Sequence, residues 1–399
     1  MTIQTPVKPK TTQFGPKFGT AFKCTGEACR LSCCKGWTVS LDKDTYRLYR
    51  DTPDIAEHVQ KAGKTQNRSN KAYGEIKLGS DGGCPLLTET GLCKVQKSLG
   101  EAHLSETCTT FPRSITQTPK QTAVSYTPAC PEIARLCMDT ADSMQLEHSD
   151  YALDPKLKYA RLTSPDLSDT SQALFGAVYN FIALSDRALW RDILVVISYL
   201  SSLDRQPTAT QEDITQQLFA FGEHVRSDAI TTDPSIFQVR MIYPTLLQTV
   251  ELSEAARDFR LVQETANMAL GGAHVPFEQK VKNFVLARET YWKLFCQQKP
   301  FALKNLFLND LIRNRLVFSQ TPEQIVDRIV DFVLNLAMVR FIQILTFQAK
   351  NTIAIDEAAF VAASISRKLA HSQKNRTALK KALQDHLGDV RSVATLLIA

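Results

Sequence analysis

The chain has 399 residues, 44% of them hydrophobic and 22% charged, with a formal net charge of +6. These proportions are ordinary for a packed globular chain of one or two domains. Ten cysteines are too few for a disulfide-stapled mini-protein, and nine of them lie between Cys24 and Cys137. That clustering favours a metal-binding module at one end of a larger fold.

The first twenty residues contain no apolar signal-peptide segment, so we expect a cytoplasmic protein. The apolar stretch 188–203 is interrupted by Arg191 and Asp192, and it falls short of the roughly 20 apolar residues that a membrane span needs. No membrane partner is therefore predicted. The first fifty residues carry nine basic against three acidic residues, which suits an acidic partner, although a solvated surface is the simpler explanation. Basic residues near the C-terminus have no aromatic residues between them, so no nucleic-acid partner is predicted.

The composition changes once along the chain. Residues 1–145 are rich in Cys, Gly, Thr and Pro, with turn signals such as "SDGGCP" at 80–85, and they predict a loop-rich, metal-binding module. From about residue 152 the apolar spacing becomes helical. The sequence therefore predicts a mainly α protein with a Cys-rich module at 1–145 and an all-helical domain at 152–399.

Apolar residues at intervals of three and four predict the helices. The predicted helical stretches are 174–200, 212–226, 253–270, 278–297, 301–317, 323–347, 356–371 and 376–397. Six prolines are expected between these stretches or at their starts, where proline is tolerated: Pro207, Pro234, Pro244, Pro276, Pro300 and Pro322. The Gly pair of "LGGAH" (270–274) is interpreted as a helix stop.

The cysteine spacing alone does not identify a metal. Only Cys24 and Cys29 match a paired zinc knuckle, whereas Cys84 and Cys130 each precede proline, as in ferredoxin-type ligand runs. Thiolates bind zinc, copper(I) and iron-sulfur clusters alike. Zinc and an iron-sulfur cluster both remain open on this evidence.

Taken in order, the motifs C-x4-C-x3-C-C-x-G-W, "CPLL", "GLC", "TCTTFPR" and "ACPE" resemble the flagellin lysine-N-methylases, the FliB family. The resemblance continues through "LKNLFLNDLIRNRLVF" (303–318) and "SISRKLAHS" (364–372), so it covers nearly the whole chain. It implies methyl transfer from S-adenosylmethionine to surface lysines of flagellin, in the cytoplasm, by a protein with a [4Fe-4S] cluster. Zinc remains the alternative metal. The candidate ligands that the resemblance implies are Cys24, Cys29, Cys33, Cys34, Cys84, Cys93, Cys108 and Cys130.

The chemistry does not require the cluster, because a deprotonated lysine amine can attack a sulfonium methyl directly. The usual radical loop C-x3-C-x2-C is also incomplete, since Cys29 and Cys33 have the first interval but Gly36 stands in the third place. We therefore expect polar transfer, with a structural or regulatory cluster. The competing hypothesis from another class is a non-catalytic zinc or iron-sulfur scaffold, or an electron-transfer protein, with a helical partner-binding domain.

No Gly-rich loop follows a strand pattern, so the common dinucleotide-type cofactor fold is not indicated. Cofactor candidates come instead from the two helical stretches that resemble the family. Asn305 and Asn309 are four residues apart and share a helix face, and Asp310 follows them; Arg367 and His371 have the same spacing. These five are the candidate cofactor-binding residues, and S-adenosylmethionine is predicted to lie at the junction of the two domains in contact with at least one of them. A polar contact between helices is the alternative role for the asparagines.

Overall fold

The computed structural model describes residues 12–31, 33–34, 38–62, 70–80, 82–119, 121–149, 161–225, 234–248, 257–370, 380–381 and 390–398. The strands in chain order are β1 (Thr12–Pro16), β2 (Ser40–Leu41), β3 (Val59–Lys61), β4 (Gly74–Ile76), β5 (Arg113–Gln117), β6 (Gln121–Tyr126), β7 (Leu146–Ser149) and β8 (Arg161–Thr163). Five of them form a mixed sheet in the order β7-β1-β6-β5-β8, with β1 parallel to β6 and β5 parallel to β8. The other three form a small antiparallel sheet in the order β2-β4-β3.

The helices are α1 (Lys43–Arg50), α2 (Pro53–Ala56), α3 (Lys94–Leu99), α4 (Glu106–Thr110), α5 (Pro131–Asp139), α6 (Asp169–Leu184), α7 (Leu189–Ser201), α8 (Gln211–His224), α9 (Pro234–Gln248), α10 (Arg257–Ala269), α11 (Phe277–Ala287), α12 (Lys293–Gln298), α13 (Ala302–Arg313), α14 (Pro322–Lys350) and α15 (Ile355–Ala370). A π-helical turn, Arg288–Trp292, joins α11 to α12, and 3-10 helices lie at Arg315–Ser319 and Val390–Leu397.

The prediction of a mainly helical protein is confirmed, and most helices lie within a few residues of their predicted bounds. Two details are wrong. Helix α9 was not predicted, and Pro244 lies inside it rather than between helices. For the predicted stretch 376–397, the structure describes the 3-10 helix Val390–Leu397 and only two residues before it.

The Gly pair ends α10 as expected, because Gly271 and Gly272 both have positive φ, at 97° and 85°. The N–H of Gly272 donates to the carbonyl of Asn267 at 2.9 Å, which satisfies a terminal helix acceptor.

Loops were expected before residue 145, but β1, β5 and β6 of the five-stranded sheet lie there. Helix was expected after residue 152, but β8 is a strand of the same sheet. The segments "RSITQ" and "QTAVSY" of β5 and β6 contain the β-branched residues that strands favour. However, β1 pairs with β6 across more than a hundred residues, at Thr12 and Gln121. A local pattern carries no signal for such a pairing.

Helix α14 is the centre of the helical body. It begins with a capping box between Thr321 and Gln324 and ends at Asn351 in the left-handed region, with φ 49°. It contacts α7, α9, α10, α11, α13 and α15. Among the described residues it is the one helix whose length and composition would allow it to cross a membrane, yet 94% of its most apolar window is buried inside the fold.

The buried hydrophobic side chains form two clusters. The small core consists of nine of them: Val39, Leu41, Tyr46, Tyr49, Ile55, Val59, Ile76, Leu86 and Val95. The large core includes Phe14 of β1, Val124 of β6 and Ile133 of α5 together with Phe341 and Phe360 of the helical body. The large core therefore runs across the predicted boundary at residue 145, and the division into two domains stays a prediction.

Candidate functional site

The eight motif cysteines occupy short turns and helix starts. Cys24 and Cys29 flank the 3-10 turn Gly26–Ala28, while Cys93 and Cys130 are the N-cap residues of α3 and α5. Cys108 lies within α4, where its N–H donates to the Ser105 hydroxyl at 3.2 Å. None of the ten cysteines forms a disulfide bond in the structure, which describes all ten.

Four of these thiols, Cys34, Cys84, Cys93 and Cys108, lie together beside the small core, and we call them the small-core thiols. The N–H of Cys84 donates to the carbonyl of Cys34 at 2.7 Å, and Cys84, Cys93 and Cys108 pack against the small core. Burial raises the pKa of Cys108 to about 12, and the charges of the other three add to the rise. Burial likewise raises the pKa of Cys84 to about 11, with contributions from Cys34 and Cys93.

Cys24, Cys29 and Cys130 form a second group. Burial raises the pKa of Cys130 to about 11, with the charges of Cys29 and Cys24 adding to it. Cys33 belongs to both groups, because its pKa is raised by a hydrogen bond with Cys34 and by burial, and also by the charges of Cys108 and Cys24.

Arg367 of α15 holds the second group in place. Its Nε donates to the carbonyl of Ala129 at 2.9 Å and its Nη2 to the carbonyl of Leu31 at 3.0 Å. Leu31 also accepts from the Cys29 thiol at 3.1 Å. A single guanidinium therefore connects the loop that carries Cys29 to the residue before Cys130.

The spacing of the thiols bears on the kind of metal site. Two thiolates on one zinc ion lie within about 4.6 Å of each other, twice the Zn–S bond length. Among the described residues, no group of three or more Cys, His, Asp or Glu side chains meets around a single ion. The choice between zinc and an iron-sulfur cluster stays a prediction, because thiolates bind both.

Of the five predicted cofactor residues, the structure describes Asn305, Asn309, Asp310 and Arg367. Asn305 is buried and its Nδ2 donates to the carbonyls of Cys137 and Thr140 at 3.0 and 2.9 Å and to the Ser143 hydroxyl at 2.9 Å. These bonds satisfy carbonyl groups at the end of α5. Asn305 therefore has the inter-helix role that was the alternative to cofactor binding.

The other described candidates contact different groups. Asn309 is fully buried and donates to the carbonyl of Tyr126 at 3.1 Å, while its Oδ1 has no described partner. Asp310 pairs with Arg313 at 3.2 Å and lines a cavity of about 150 Å³. The bonds of Arg367 described above go to backbone carbonyls, and His371 lies outside the described residues. A cofactor role for these residues stays a prediction.

A larger cavity, of about 860 Å³, opens between α6, α7, α12 and α13. Its lining includes Ala183, Trp190, Trp292, Cys296, Asn305 and Arg340. The volume lies within the 300–1,000 Å³ typical of small-molecule sites, whereas the cavity beside Asp310 is smaller than that range. Of the predicted cofactor residues that the structure describes, only Asn305 lines the larger cavity.

Sequence reasoning missed Arg340, which is 1% exposed in the middle of α14. Burial lowers the pKa of its guanidinium to about 9. The stretch "LAMVRFIQIL" (336–345) could have indicated this residue, because an arginine inside an apolar helix seldom lacks a specific role.

A model of the FliB lysine N-methylase C-terminal domain matches residues 177–397. The chain belongs to the FliB family. The matched region begins within α6 and runs to the end of the 3-10 helix Val390–Leu397, so it covers the walls of the 860 Å³ cavity contributed by α7, α12 and α13. The resemblance found in the sequence is thereby confirmed.

Individual relatives agree with this assignment to the FliB family. The chain is 28% identical over 302 residues to a lysine-N-methylase of Salmonella typhimurium, covering 75% of this chain and 65% of that protein. It is 28% identical over 306 residues to a lysine-N-methylase of Salmonella choleraesuis, with the same coverage. It is also 41% identical over 134 residues to the flagellar biosynthetic protein FliU of Salmonella muenchen, covering 33% of this chain and 79% of FliU. The chain thus spans about two thirds of the length of the two lysine-N-methylases, and no solved structure matches it.

Proposed function

We propose that this protein is an S-adenosylmethionine-dependent lysine N-methyltransferase that modifies surface lysines of flagellin in the cytoplasm. The observation that carries the proposal is the match of the FliB lysine N-methylase domain to residues 177–397. Two relatives are named lysine-N-methylases and a third is named a flagellar biosynthetic protein, which supports a flagellar substrate.

A cysteine-bound [4Fe-4S] cluster is part of this proposal, and zinc is the alternative. The small-core thiols Cys34, Cys84, Cys93 and Cys108 are the best-supported ligands, because they interact with one another while packing on one core. The remaining candidates are Cys24, Cys29, Cys33 and Cys130. When bound, the cluster would cross-link segments that the small core alone holds weakly, since metal binding energy becomes folding energy.

The proposed reaction is a direct displacement. The lone pair of the neutral lysine Nζ forms a bond to the methyl carbon as the bond from that carbon to the sulfonium sulfur breaks. S-adenosylhomocysteine leaves, and the methylated amine releases the proton that it still carries. A lysine has an ordinary pKa of about 10.4, so the rate should rise with pH as the target amine loses its proton.

The test uses the purified full-length protein with flagellin and methyl-labelled S-adenosylmethionine, followed by mass spectrometry of the flagellin lysines. We expect methyl-lysine without added reductant, and a protein that contains iron and absorbs near 400 nm. Dependence on a strong reductant with formation of 5'-deoxyadenosine would instead indicate a radical route. An iron-containing protein that neither binds the donor nor methylates flagellin would be a scaffold or electron-transfer protein.

A further inference from the structure

Arg340 is a buried positive charge held mainly by neutral groups. Its Nη2 donates to the carbonyl of Ile398 at 2.7 Å, and its Nη1 lies 3.3 Å from Gln238 Oε1 and 3.5 Å from the carbonyl of Leu396. Its guanidinium carbon is 5.5 Å from the centre of the Trp292 ring. The Nε of Arg340 is buried and has no partner among the described residues.

No described carboxylate pairs with this charge. Burial lowers the pKa of Arg340; of its charged neighbours, the Cys296 thiolate would favour the charged form, and a second guanidinium, Arg288, disfavours it. A buried ion without a counter-charge is costly, and native proteins seldom leave one unpaired. A negatively charged group from outside the described fold would remove this cost.

The 860 Å³ cavity gives such a group access, because Arg340 lines it together with Trp292 and Cys296. The other described cations in the lining already have partners: Arg187 binds Glu223, Lys299 binds Asp139, and Lys304 donates to the carbonyl of Ser185. The Nη1 of Arg187 is also buried without a partner, but the Arg187 side chain is paired with Glu223 and 22% exposed. Arg340, at 1% exposed, is therefore the fully buried cation in this described wall, and no described carboxylate pairs with it. Trp190 adds a flat apolar surface to the same lining.

We propose that this cavity binds the methyl donor, with the carboxylate of its amino-acid arm paired to Arg340 and its adenosine in the part of the cavity lined by Trp190. This assignment rests on the proposed function, since it names where that activity takes its donor. It differs from the sequence prediction by replacing Arg367 and His371 with Arg340. Asn305 remains in the cavity wall.

The first experiment compares ligands by calorimetric titration into the full-length, metal-loaded protein. The probes are S-adenosylmethionine, S-adenosylhomocysteine and 5'-methylthioadenosine, a neutral adenosine thioether without the amino-acid arm. Loss of a charge-assisted hydrogen bond weakens binding about ten- to a hundred-fold, so we expect methylthioadenosine to bind at least ten-fold more weakly than S-adenosylhomocysteine. Equal affinity of these two would overturn the proposal.

The second experiment tests whether Arg340 causes the difference in affinity between S-adenosylhomocysteine and methylthioadenosine. In Arg340→Met the ratio of the two affinities should fall to within about two-fold, and Arg340→Lys should keep part of it. Arg315→Met is the matched control, because Arg315 is equally buried but does not line the cavity. An unchanged ratio in Arg340→Met, or an equal fall in Arg315→Met, would contradict the assignment.

A third variant keeps the proposal testable if Arg340 variants do not fold. Ala183 is exposed at the cavity wall, so Ala183→Trp should narrow the cavity without disturbing the core and weaken S-adenosylmethionine and S-adenosylhomocysteine at least ten-fold. Met268→Trp, on the exposed face of α10, should have no effect. Normal donor binding in Ala183→Trp, with flagellin still methylated, would overturn the cavity assignment and leave the proposed function intact. A wild-type protein that bound none of the three probes would overturn both.

Discussion

The small core around Tyr49 and the large core around α14 differ most in how much apolar side chain each one buries. The small core has nine buried hydrophobic residues, whereas α14 alone contributes sixteen to the large core. Small cores of this kind usually need a disulfide, a metal or a partner for stability. The small core has four interacting thiols at its edge, and the large core has a cavity with a buried arginine. The comparison agrees with the proposals that a metal stabilises the small-core region and that the cavity of the well-packed large core binds a ligand.

The largest expected effect comes from removing one of the small-core thiols. Cys108→Ser should give an iron-poor, poorly soluble protein in which residues 38–110 lose protection from hydrogen exchange while α14 keeps its own. Cys137→Ala is the control, because Cys137 is buried in the large core outside the motif, and it should retain its iron. Wild-type iron content and protection in Cys108→Ser would remove Cys108 from the ligand set.

A smaller effect is expected from Asn305, which lies where α5 meets the helical body. Asn305→Ala removes three hydrogen bonds at the end of α5, each worth about 1 kcal/mol, while the carbonyls of Cys137 and Thr140 keep their bonds from Ser143. The free energy of unfolding should therefore fall by about 2 to 3 kcal/mol. Denaturant unfolding measures this loss, and donor titration shows whether affinity falls as well. A loss of affinity with unchanged stability would favour the cofactor role predicted from the sequence over the inter-helix role.

The third prediction concerns Asp192 of α7, which is fully buried and accepts a hydrogen bond from Ser185 at 2.7 Å. Burial raises its pKa to about 6, so the folded protein binds this proton more tightly than the unfolded chain, where the pKa is about 3.9. The resulting stabilisation is fully present below about pH 4 and is lost as the pH rises through 6.

Asp192→Asn cannot ionise, so its free energy of unfolding relative to that of the wild type should rise by about 2 kcal/mol between pH 4 and pH 7.5. Unfolding in urea at the two pH values gives the difference. A constant offset between wild type and Asp192→Asn across this range would mean that the carboxyl titrates normally.

The smallest effect is expected at the surface contact between Arg30, near the thiols, and Glu357 of α15. Arg30 binds both carboxylate oxygens at 2.8 and 3.3 Å and lies 4.3 Å from the centre of the Phe360 ring, but its side chain is 41% exposed. Arg30→Gln should cost about 1 kcal/mol or less, and less still at high salt. A loss as large as that from Asn305→Ala would show that this contact is needed to join the two regions.

The helical body was predictable because apolar residues at intervals of three and four repeat through α6, α7, α13 and α14. The cysteine motifs and the family could also be read from the sequence, since both depend on local spacing. The grouping of Cys34 with Cys84, Cys93 and Cys108 could not, because it depends on contacts across fifty or more residues, such as the bond from Cys84 to Cys34. The cavity beside Arg340 could not be predicted for the same reason, because four separate helices and the segment 397–398 surround it.

The two hydrogen bonds of Arg367 bear on how the protein is made. They connect positions 367, 31 and 129, so residues 336 and 238 positions apart must meet before the loop with Cys29 is fixed. A ribosome releases the cysteine segments long before it has synthesised α15. We therefore expect the loop to lack this anchor until α15 has been synthesised, and a chain that ends before residue 355 should have the loop unanchored. Thiol labelling of stalled nascent chains, compared with the released protein, would show whether the last helix closes the loop.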